Sequence, residues 1–353
     1  MKKQICPDHY CKSMREMNKS TLVNSLKKIV DQRGKEALDI TRIDLRSSFP
    51  GDDNISAALR HFGETTLKGV LPVFPALISL SCEAVGGETE KTRAIGSAVI
   101  LIAGGADIHD DVIDESPLKG SRHTVYGKFG KDIAVLAGDV LLTRGLLKLQ
   151  KECESIPIEQ RERILSLLAM SVFDISRAEA LEARMRAELD FSPETYLDII
   201  DLKSVVPELN MKIGAILGNG DKETVETLGH FGRTFGNVST IAEEFMDMLE
   251  HQELKNRLRN KCLPLPYLLA LRDSSVGTKI SPSKVLSLSR TKLDEIKRNV
   301  LSSSEVDRLR KKMSKLVHIE LKKLDIELEN SRATEELRTI LESSLQMLLS
   351  ITS

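Results

Sequence analysis

The chain has 353 residues, a formal net charge of −1 and 29% charged residues. This length suits one large domain or two ordinary ones, and the near-neutral charge gives no basic field that would attract a nucleic acid. The five cysteines are scattered, which argues against a disulfide framework and favours a reducing compartment. We therefore expect a protein that does not bind nucleic acid.

The first residues predict a polar leader at 1–20, followed by a single all-α domain at 21–353. The N-terminus is basic but has no apolar segment of the kind that secretory signals carry. The longest apolar stretch, Ala94 to Ile108, contains Gly and Ser and is too short to cross a bilayer. We expect a cytoplasmic protein without stable membrane insertion.

Three aspartates, Asp110, Asp111 and Asp114, follow an apolar helical run from Ala98 to Ile108. Residues at i, i+3 and i+4 share one face of a helix, so these carboxylates converge with no cation beside them. Mg²⁺ is the natural partner, since it is bound through one or two carboxylates and the oxygens of a substrate phosphate. The alternative is a solvated acidic helix end.

Helical periodicity dominates the middle of the chain. Ile158 to Leu189 is predicted to be one long helix. Ser192-Pro193 supplies an N-cap and a first-turn proline for the next helix, which is expected to end at Gly218–Gly220 with a kink at Pro207.

A second acidic cluster, Glu243, Glu244 and Asp247, repeats the spacing of the first after another apolar stretch. Two acidic faces on separate helices could clamp a diphosphate through bridging metal ions, which would bind the anion and stabilise it as a leaving group. The alternative is that two such clusters occur by chance in a chain rich in acidic residues.

Further helices are expected near the C-terminus. Ser281-Pro282 predicts one helix start, and Ser302 to Glu305 has the pattern of a capping box for another. The last helix is predicted from about Thr334 to Leu349. With almost no strand-like alternation anywhere, the chain is expected to fold as an all-α protein.

From about Gly63 to Leu271 the sequence resembles the trans-polyprenyl diphosphate synthases, the family of farnesyl and geranylgeranyl diphosphate synthases. The segments that carry the resemblance are His109–Ser116, Thr124-Val125, Phe129-Gly130, Ala134–Leu142, Tyr196, Lys203-Ser204, Glu243–Asp247 and Asn260–Pro264. The resemblance implies a homodimeric isoprenoid-synthase bundle of about ten or more helices around a deep central cavity.

In that family the two acidic motifs hold three Mg²⁺ ions on the diphosphate of an allylic prenyl substrate. The resemblance therefore implies that the metal ligands are Asp110, Asp111, Asp114, Glu243, Glu244 and Asp247. It also implies that Lys119, Lys203 and Lys261 contact the diphosphate, and that Asp110, Glu243 and Lys203 carry the catalysis.

The positions that hold isopentenyl diphosphate in the family are altered in this chain. The family's Gly-Gly-Lys-Arg-x-Arg-Pro corresponds to Gly69–Pro75, where its Lys and two Arg become Leu71, Pro72 and Phe74. Each lost charge-assisted contact would forfeit about 1.5–3 kcal/mol. Further altered positions of this half are Ala103, Gly120, Ser239 and Thr240. In the allylic half, Lys119 replaces a family arginine, which keeps the charge but loses the bidentate fork.

The substrate tunnel is expected to be open, because the family's floor positions correspond to Ala106 and Gly105, with Gly104 beside them. This suits a prenyl chain of roughly C15 to C20 or longer.

Three functions remain open at this point. The first is a Mg²⁺-dependent prenyltransferase that ionises an allylic diphosphate and passes the prenyl group to an acceptor. The second is a terpene synthase or cyclase that acts on a single prenyl diphosphate. The third is a non-catalytic partner subunit of a prenyl synthase.

Overall fold

The computed structural model describes residues 19–48, 51–120, 122–188, 192–250, 254, 257, 263–273 and 290–351. Helices of its N-terminal half are α1 (Lys19–Ser48), α2 (Asn54–His61), α3 (Val73–Ala84), α4 (Glu90–Ile113), α5 (Val125–Phe129) and α6 (Lys131–Glu152). A short π-helical turn, Phe62–Thr66, follows α2, and a 3₁₀ turn, Cys153–Ser155, follows α6.

The C-terminal half continues with α7 (Ile158–Glu188), α8 (Pro193–Lys203), α9 (Val205–Leu217), α10 (Lys222–Leu249), α11 (Leu265–Arg272), α12 (Arg290–Leu301), α13 (Ser304–Glu327) and α14 (Arg332–Ser350). The strands of the described residues are β1 (Leu118–Lys119) and β2 (Arg122–His123), which pair antiparallel. The all-α prediction is confirmed.

Side-chain caps explain where several helices begin. A side-chain oxygen at the N-cap accepts a hydrogen bond from a backbone N–H of the first turn, which would otherwise lack a partner. The capping residues are Asp53, Thr124, Ser192, Asp221, Ser303 and Ser331.

The helix pair α4 and α6 has the most extensive contact in the described structure. Small residues on α6 allow this approach: a Cβ on Gly145 would lie 2.7 Å from Ile102 Cγ1, and a Cβ on Gly138 would lie 2.4 Å from His109 Nε2. On the other side of this pair, α3, α9 and α10 form the next well-packed layer. Helix α4, which carries the first acidic motif, is therefore fixed along most of its length.

Apolar side chains form two buried clusters. The larger one draws on helices from α3 to α14, including Leu77, Phe231 and Phe245. The smaller one lies among α1, α2, α4 and α6 and includes Leu59 and Ile108. Burying a side chain of this size contributes about 1.5–3 kcal/mol.

Several predicted boundaries agree with the structure and two differ. The long helix α7 and the Ser192 cap are confirmed, the latter by a 3.3 Å bond from Thr195 N to Ser192 Oγ. The predicted continuous helix through Pro207 is wrong: α8 ends at Lys203, and α9 begins at Val205. Pro207 thus falls in the first turn of α9, where its missing N–H costs no internal hydrogen bond.

The predicted capping box is displaced by one residue, because Ser303 rather than Ser302 caps α13. The predicted last helix corresponds to α14, which starts two residues earlier than expected. The Ser281-Pro282 helix start and residues 1–18 of the predicted leader lie outside the described residues. No helix in the described ranges is both long enough and apolar enough to cross a membrane.

Candidate active site

The first acidic motif lies where α4 ends. Asp110 and Asp111 occupy the last turn, and Asp114 is the C-cap residue. The chain leaves the helix through Glu115, which has a φ of 51°, while Ser116 N donates to Asp111 O at 2.9 Å. This is a Schellman-type ending, and it places three carboxylates at the negative end of the helix dipole. The cluster is therefore unfavourable unless cations accompany it.

One carboxylate oxygen of this motif, Oδ1 of Asp110, is buried and receives no hydrogen bond from any donor among the described residues. Oδ1 of Asp111 is also buried, but it is paired with Lys119. Burial raises the pKa of Asp110 to about 8, and repulsion from Glu179 and Asp114 adds to the shift. Burial also raises the pKa of Asp111 to about 6, against the opposing effect of Lys119, whose Nζ lies 3.1 Å from Asp111 Oδ1.

In the second motif, Glu244 is buried and fully engaged. Its Oε1 accepts from Tyr196 OH at 2.9 Å and from Arg257 at 2.7 Å. Its Oε2 accepts from Arg257 at 2.9 Å and from Leu265 N at 3.0 Å. Arg257 also donates to Asp247 Oδ2 at 2.8 Å. This geometry favours a structural role for Glu244 over the metal-ligand role predicted from the sequence.

Glu243 differs from its neighbour, since it has no ion pair among the described residues. Its surface is open to solvent, but protein atoms crowd the carboxyl group. This desolvation, followed by repulsion from Asp247 and Glu244, raises its pKa to about 7. A nearby cation would therefore stabilise the ionised form of Glu243, as it would that of Asp110.

Helix α7 links the two motifs. Arg186 donates to Asp114 Oδ1, while Glu179 and Glu182 lie 2.9 and 2.6 Å from Lys203 Nζ. Burial alone would raise the pKa of Glu182, but Lys203, Arg186 and Arg257 outweigh it and lower the pKa. Glu182 thus lies within electrostatic reach of the arginines that hold the first and the second motif. Glu182 is thus the residue through which the two motifs are electrostatically connected.

Four residues of this site were not predicted from the sequence. Glu179 and Glu182 have an i, i+3 spacing on a long helix, which is a weak signal that could have been read. Arg186 and Arg257 gave no local signal, because their partners are distant in sequence. Their role becomes visible only from the folded arrangement.

The site carries an excess of negative charge that suits a hard cation. Its carboxylates are Asp107, Asp110, Asp111, Asp114, Glu179, Glu182, Glu243, Glu244 and Asp247, and the described cations that contact them are Lys119, Arg186, Lys203 and Arg257. Within the described ranges, no three acidic, His or Cys side chains are placed to hold a metal by themselves.

Two of the three lysines predicted to bind diphosphate lie at the site. Lys203 stays protonated: burial would lower its pKa, but Glu182 and Glu179 raise it above its ordinary value. Lys119, on β1, lies 2.6 Å from Asp107 Oδ1 as well as close to Asp111. The partner of Asp107 is thus this strand lysine. Lys261 lies outside the described residues.

The altered acceptor positions are occupied by packing contacts. Pro72 is buried, and Leu71 and Phe74 pack against the larger apolar cluster. Gly120 has a φ of 61° between β1 and β2. Ser239 donates its hydroxyl to Phe235 O of its own helix at 2.7 Å. None of these groups offers a charged donor to a second diphosphate.

The small residues before the first motif have two different roles. A Cβ on Gly104 would lie 2.4 Å from the Phe62 ring, and one on Gly105 would lie 2.6 Å from Leu142 Cγ. These glycines therefore serve helix packing, in contrast to the predicted tunnel role. Ala106 is exposed and lies one turn before Asp110 on the same face of α4. Its small side chain would leave space there.

Comparison with known proteins gives a consistent picture. The family model described as polyprenyl synthetase matches residues 68–297. The chain is 27% identical over 228 residues to the short chain isoprenyl diphosphate synthase of Methanothermobacter thermautotrophicus, which covers 62% of this chain and 68% of that protein. It is 24% identical over 175 residues to the geranylgeranyl diphosphate synthase of Sulfolobus acidocaldarius, covering 49% of this chain.

The matched region spans about half of that second relative's own length, 53%. Among solved structures, the geranylgeranyl pyrophosphate synthetase of Pyrococcus horikoshii superposes with a TM-score of 0.77 at 20% identity. That superposition covers 92% of this chain and 98% of the other, and it shows a shared fold.

Proposed function

Because the chain belongs to the polyprenyl synthetase family, we propose that it is a Mg²⁺-dependent prenyltransferase that ionises an allylic prenyl diphosphate of roughly C15 to C20 or longer. The observation that carries this proposal is the buried Oδ1 of Asp110, which receives no hydrogen bond from any donor among the described residues and faces the carboxylates of Glu179 and Asp114. Bound Mg²⁺ would neutralise the pyrophosphate leaving group. Asp110, Asp111 and Glu243 are the ligands best placed to hold it.

The cationic side chains position the diphosphate. Lys203 is held by Glu179 and Glu182, and its retained positive charge suits contact with a departing phosphate oxygen. Lys119, between Asp107 and Asp111, is the second such contact. A lysine supplies a point charge in place of the bidentate fork of an arginine. Both lysines can rotate from carboxylate to phosphate without leaving the site.

The prenyl group is proposed to pass to an acceptor that is held without the family's usual set of cations. This part of the proposal rests on Leu71, Pro72 and Phe74, which lie in apolar packing. A doubly charged diphosphate would lose its hydration there without gaining charged partners.

A second candidate function is supported by the same observation. If no second diphosphate binds, the allylic cation could be cyclised or quenched within the site, as in a terpene synthase. Apolar walls protect such a cation from water. This alternative needs only the groups around Asp110, Glu243 and Lys203.

Product analysis distinguishes these candidates. The full chain is incubated with Mg²⁺ and farnesyl or geranylgeranyl diphosphate, with and without isopentenyl diphosphate, and the organic extract is analysed. A hydrocarbon or alcohol formed from the single substrate supports the terpene synthase. An elongated diphosphate that requires isopentenyl diphosphate supports prenyl transfer and contradicts the proposed loss of that site. If pyrophosphate is released under neither condition, both candidates are contradicted.

The metal-free protein is expected to become less stable as the pH rises from about 5 to about 8. The pKa values of Asp110, Glu243 and Asp111 are raised to about 8, 7 and 6. The folded chain therefore holds more protons than the unfolded chain over this range, and the free energy of unfolding falls with increasing pH. Mg²⁺ binds the deprotonated carboxylates, so it should raise the melting temperature more at the upper end of this range.

Thermal melts with EDTA and with Mg²⁺, at both ends of the range, measure this dependence. The Asp110→Asn variant is the control, because it removes the group with the largest shift and should flatten the pH profile. An equal Mg²⁺ effect at both pH values would contradict the expectation.

We also propose that the protein is a homodimer in the cytoplasm. Exposed apolar side chains on α6 and α7 support self-association: Leu146, Leu147, Met170 and Phe173 are 45%, 61%, 63% and 66% exposed. Cys82 and Cys153 are free and buried, which suits a reducing compartment. Sedimentation velocity would give the mass of the assembly.

A further inference from the structure

Arg257 bridges the carboxylates of the second acidic motif, and both terminal nitrogens of its guanidinium group make contacts there. One guanidinium nitrogen lies 2.7 Å from Glu244 Oε1 and 2.8 Å from Asp247 Oδ2. The other lies 2.9 Å from Glu244 Oε2 and 2.8 Å from Tyr196 OH. The Arg257 side chain is only 11% exposed. Such short, charge-assisted pairs are the strong class of hydrogen bond.

Glu244 has no acceptor position left for a metal ion. An ionised carboxylate offers about four lone-pair sites. Protein donors fill all of them: Tyr196 OH, Leu265 N and both nitrogens of Arg257. All of these donors come from outside α10, and through Tyr196 and Leu265 Glu244 ties α10 to α8 and to the start of α11.

Asp247 is held by the same guanidinium. Arginine stays protonated under all ordinary conditions, and its planar fork can bridge two carboxylates at once. Arg257 fills Oδ2 of Asp247 and sets a permanent positive charge beside the other oxygen, so a divalent ion bound to Asp247 would be repelled by the guanidinium. The first motif is different, since Asp110 keeps a buried oxygen that receives no hydrogen bond from any donor among the described residues.

We propose that Arg257 is a resident counter-ion of the second acidic motif and takes the place of one divalent ion there. The inference rests on the proposed metal-dependent function and revises it in one respect. Metal binding is concentrated at Asp110 and Asp111 with help from Glu243. The chain then holds fewer ions on a diphosphate than the three that the family resemblance implies.

The number of bound Mn²⁺ ions tests this proposal. Electron paramagnetic resonance of the full chain is recorded during a Mn²⁺ titration in the presence of inorganic pyrophosphate. The Arg257→Gln variant is expected to bind about one more Mn²⁺ per chain than the wild type, because Asp247 gains a vacancy for a cation. Equal counts in the two proteins would overturn the proposal.

Arg233→Gln is the matched control. Arg233 lies on α10, the helix that carries the second motif, and like Arg257 it bridges two carboxylates, Asp201 and Glu208, but it contacts neither acidic motif. Its variant is expected to bind as many Mn²⁺ ions as the wild type. A gain in that variant would show that loss of any arginine raises the count, and the proposal would be rejected.

The Asp247→Asn variant gives a second readout that does not depend on the fold of Arg257→Gln. If Arg257 already holds Asp247, this change leaves the number of bound Mn²⁺ ions at the wild-type value. A loss of one ion would overturn the inference while the proposed function stands. Wild-type protein that binds no Mn²⁺ with pyrophosphate would instead contradict the proposed function itself.

Discussion

Replacing Asp110 with asparagine is expected to lower kcat/KM for release of pyrophosphate by roughly 10²- to 10³-fold. The change removes the charge of a carboxylate whose Oδ1 is buried and has no hydrogen-bond partner in the described structure. This carboxylate lies among the other acidic side chains of the site. Asparagine keeps the size of the side chain but is a poor ligand for a hard cation. Steady-state kinetics with a prenyl diphosphate and excess Mg²⁺ measure the effect.

The Asp110→Asn variant should lose activity but not stability. Ionised Asp110 faces repulsion from Glu179 and Asp114, and this repulsion is absent in asparagine. The metal-free melting temperature is therefore expected to rise or stay constant. Glu223→Gln, an exposed change in the first turn of α10, is the control and should retain full activity. Full activity of Asp110→Asn would remove the basis of the metal site.

Replacing Glu244 with alanine is expected to lower the free energy of unfolding by about 3–5 kcal/mol. Glu244 is 6% exposed and accepts from Arg257, Tyr196 and Leu265 N. Its loss leaves a buried guanidinium with fewer carboxylate partners and a buried backbone N–H without its acceptor, both of which are costly. Denaturant unfolding of the metal-free protein measures this change.

Glu243→Ala is the matched control, since it removes the neighbouring carboxylate of the same motif. Glu243 has no ion pair in the described part of the chain and carries a raised pKa, so its loss should not reduce stability. It should reduce activity instead, because a metal ligand is lost. If both variants were equally stable, Glu244 would not be the structural member of the pair.

These two comparisons separate functions that the sequence presents as equivalent. Asp110 and Glu244 belong to two acidic motifs of the same spacing. In the folded chain, Asp110 keeps a buried oxygen without a donor among the described residues, while Glu244 has all its acceptor positions filled. The proposed roles of these two carboxylates are therefore ion binding in the first motif and helix docking in the second.

The sequence by itself determined the features that depend on local spacing. Helical periodicity predicted α7 and α14, and cap chemistry located the start of α8 at Ser192. The i, i+3, i+4 spacing identified both acidic motifs, because residues at that spacing share a helix face whatever the rest of the fold does. Helical periodicity and the near absence of strand-like alternation also predicted the all-α fold class, which the structure confirms.

Only the tertiary structure decided which of those carboxylates keeps room for a cation. Arg186 reaches Asp114 across 72 residues of sequence, and Tyr196 reaches Glu244 across 48. Likewise, the side chains of Phe62 and Leu142 leave no room for a Cβ at Gly104 and Gly105. Such contacts depend on how whole helices pack, and no local pattern encodes them. Burial and partner identity, which set the pKa values and the free acceptor positions, follow from that packing.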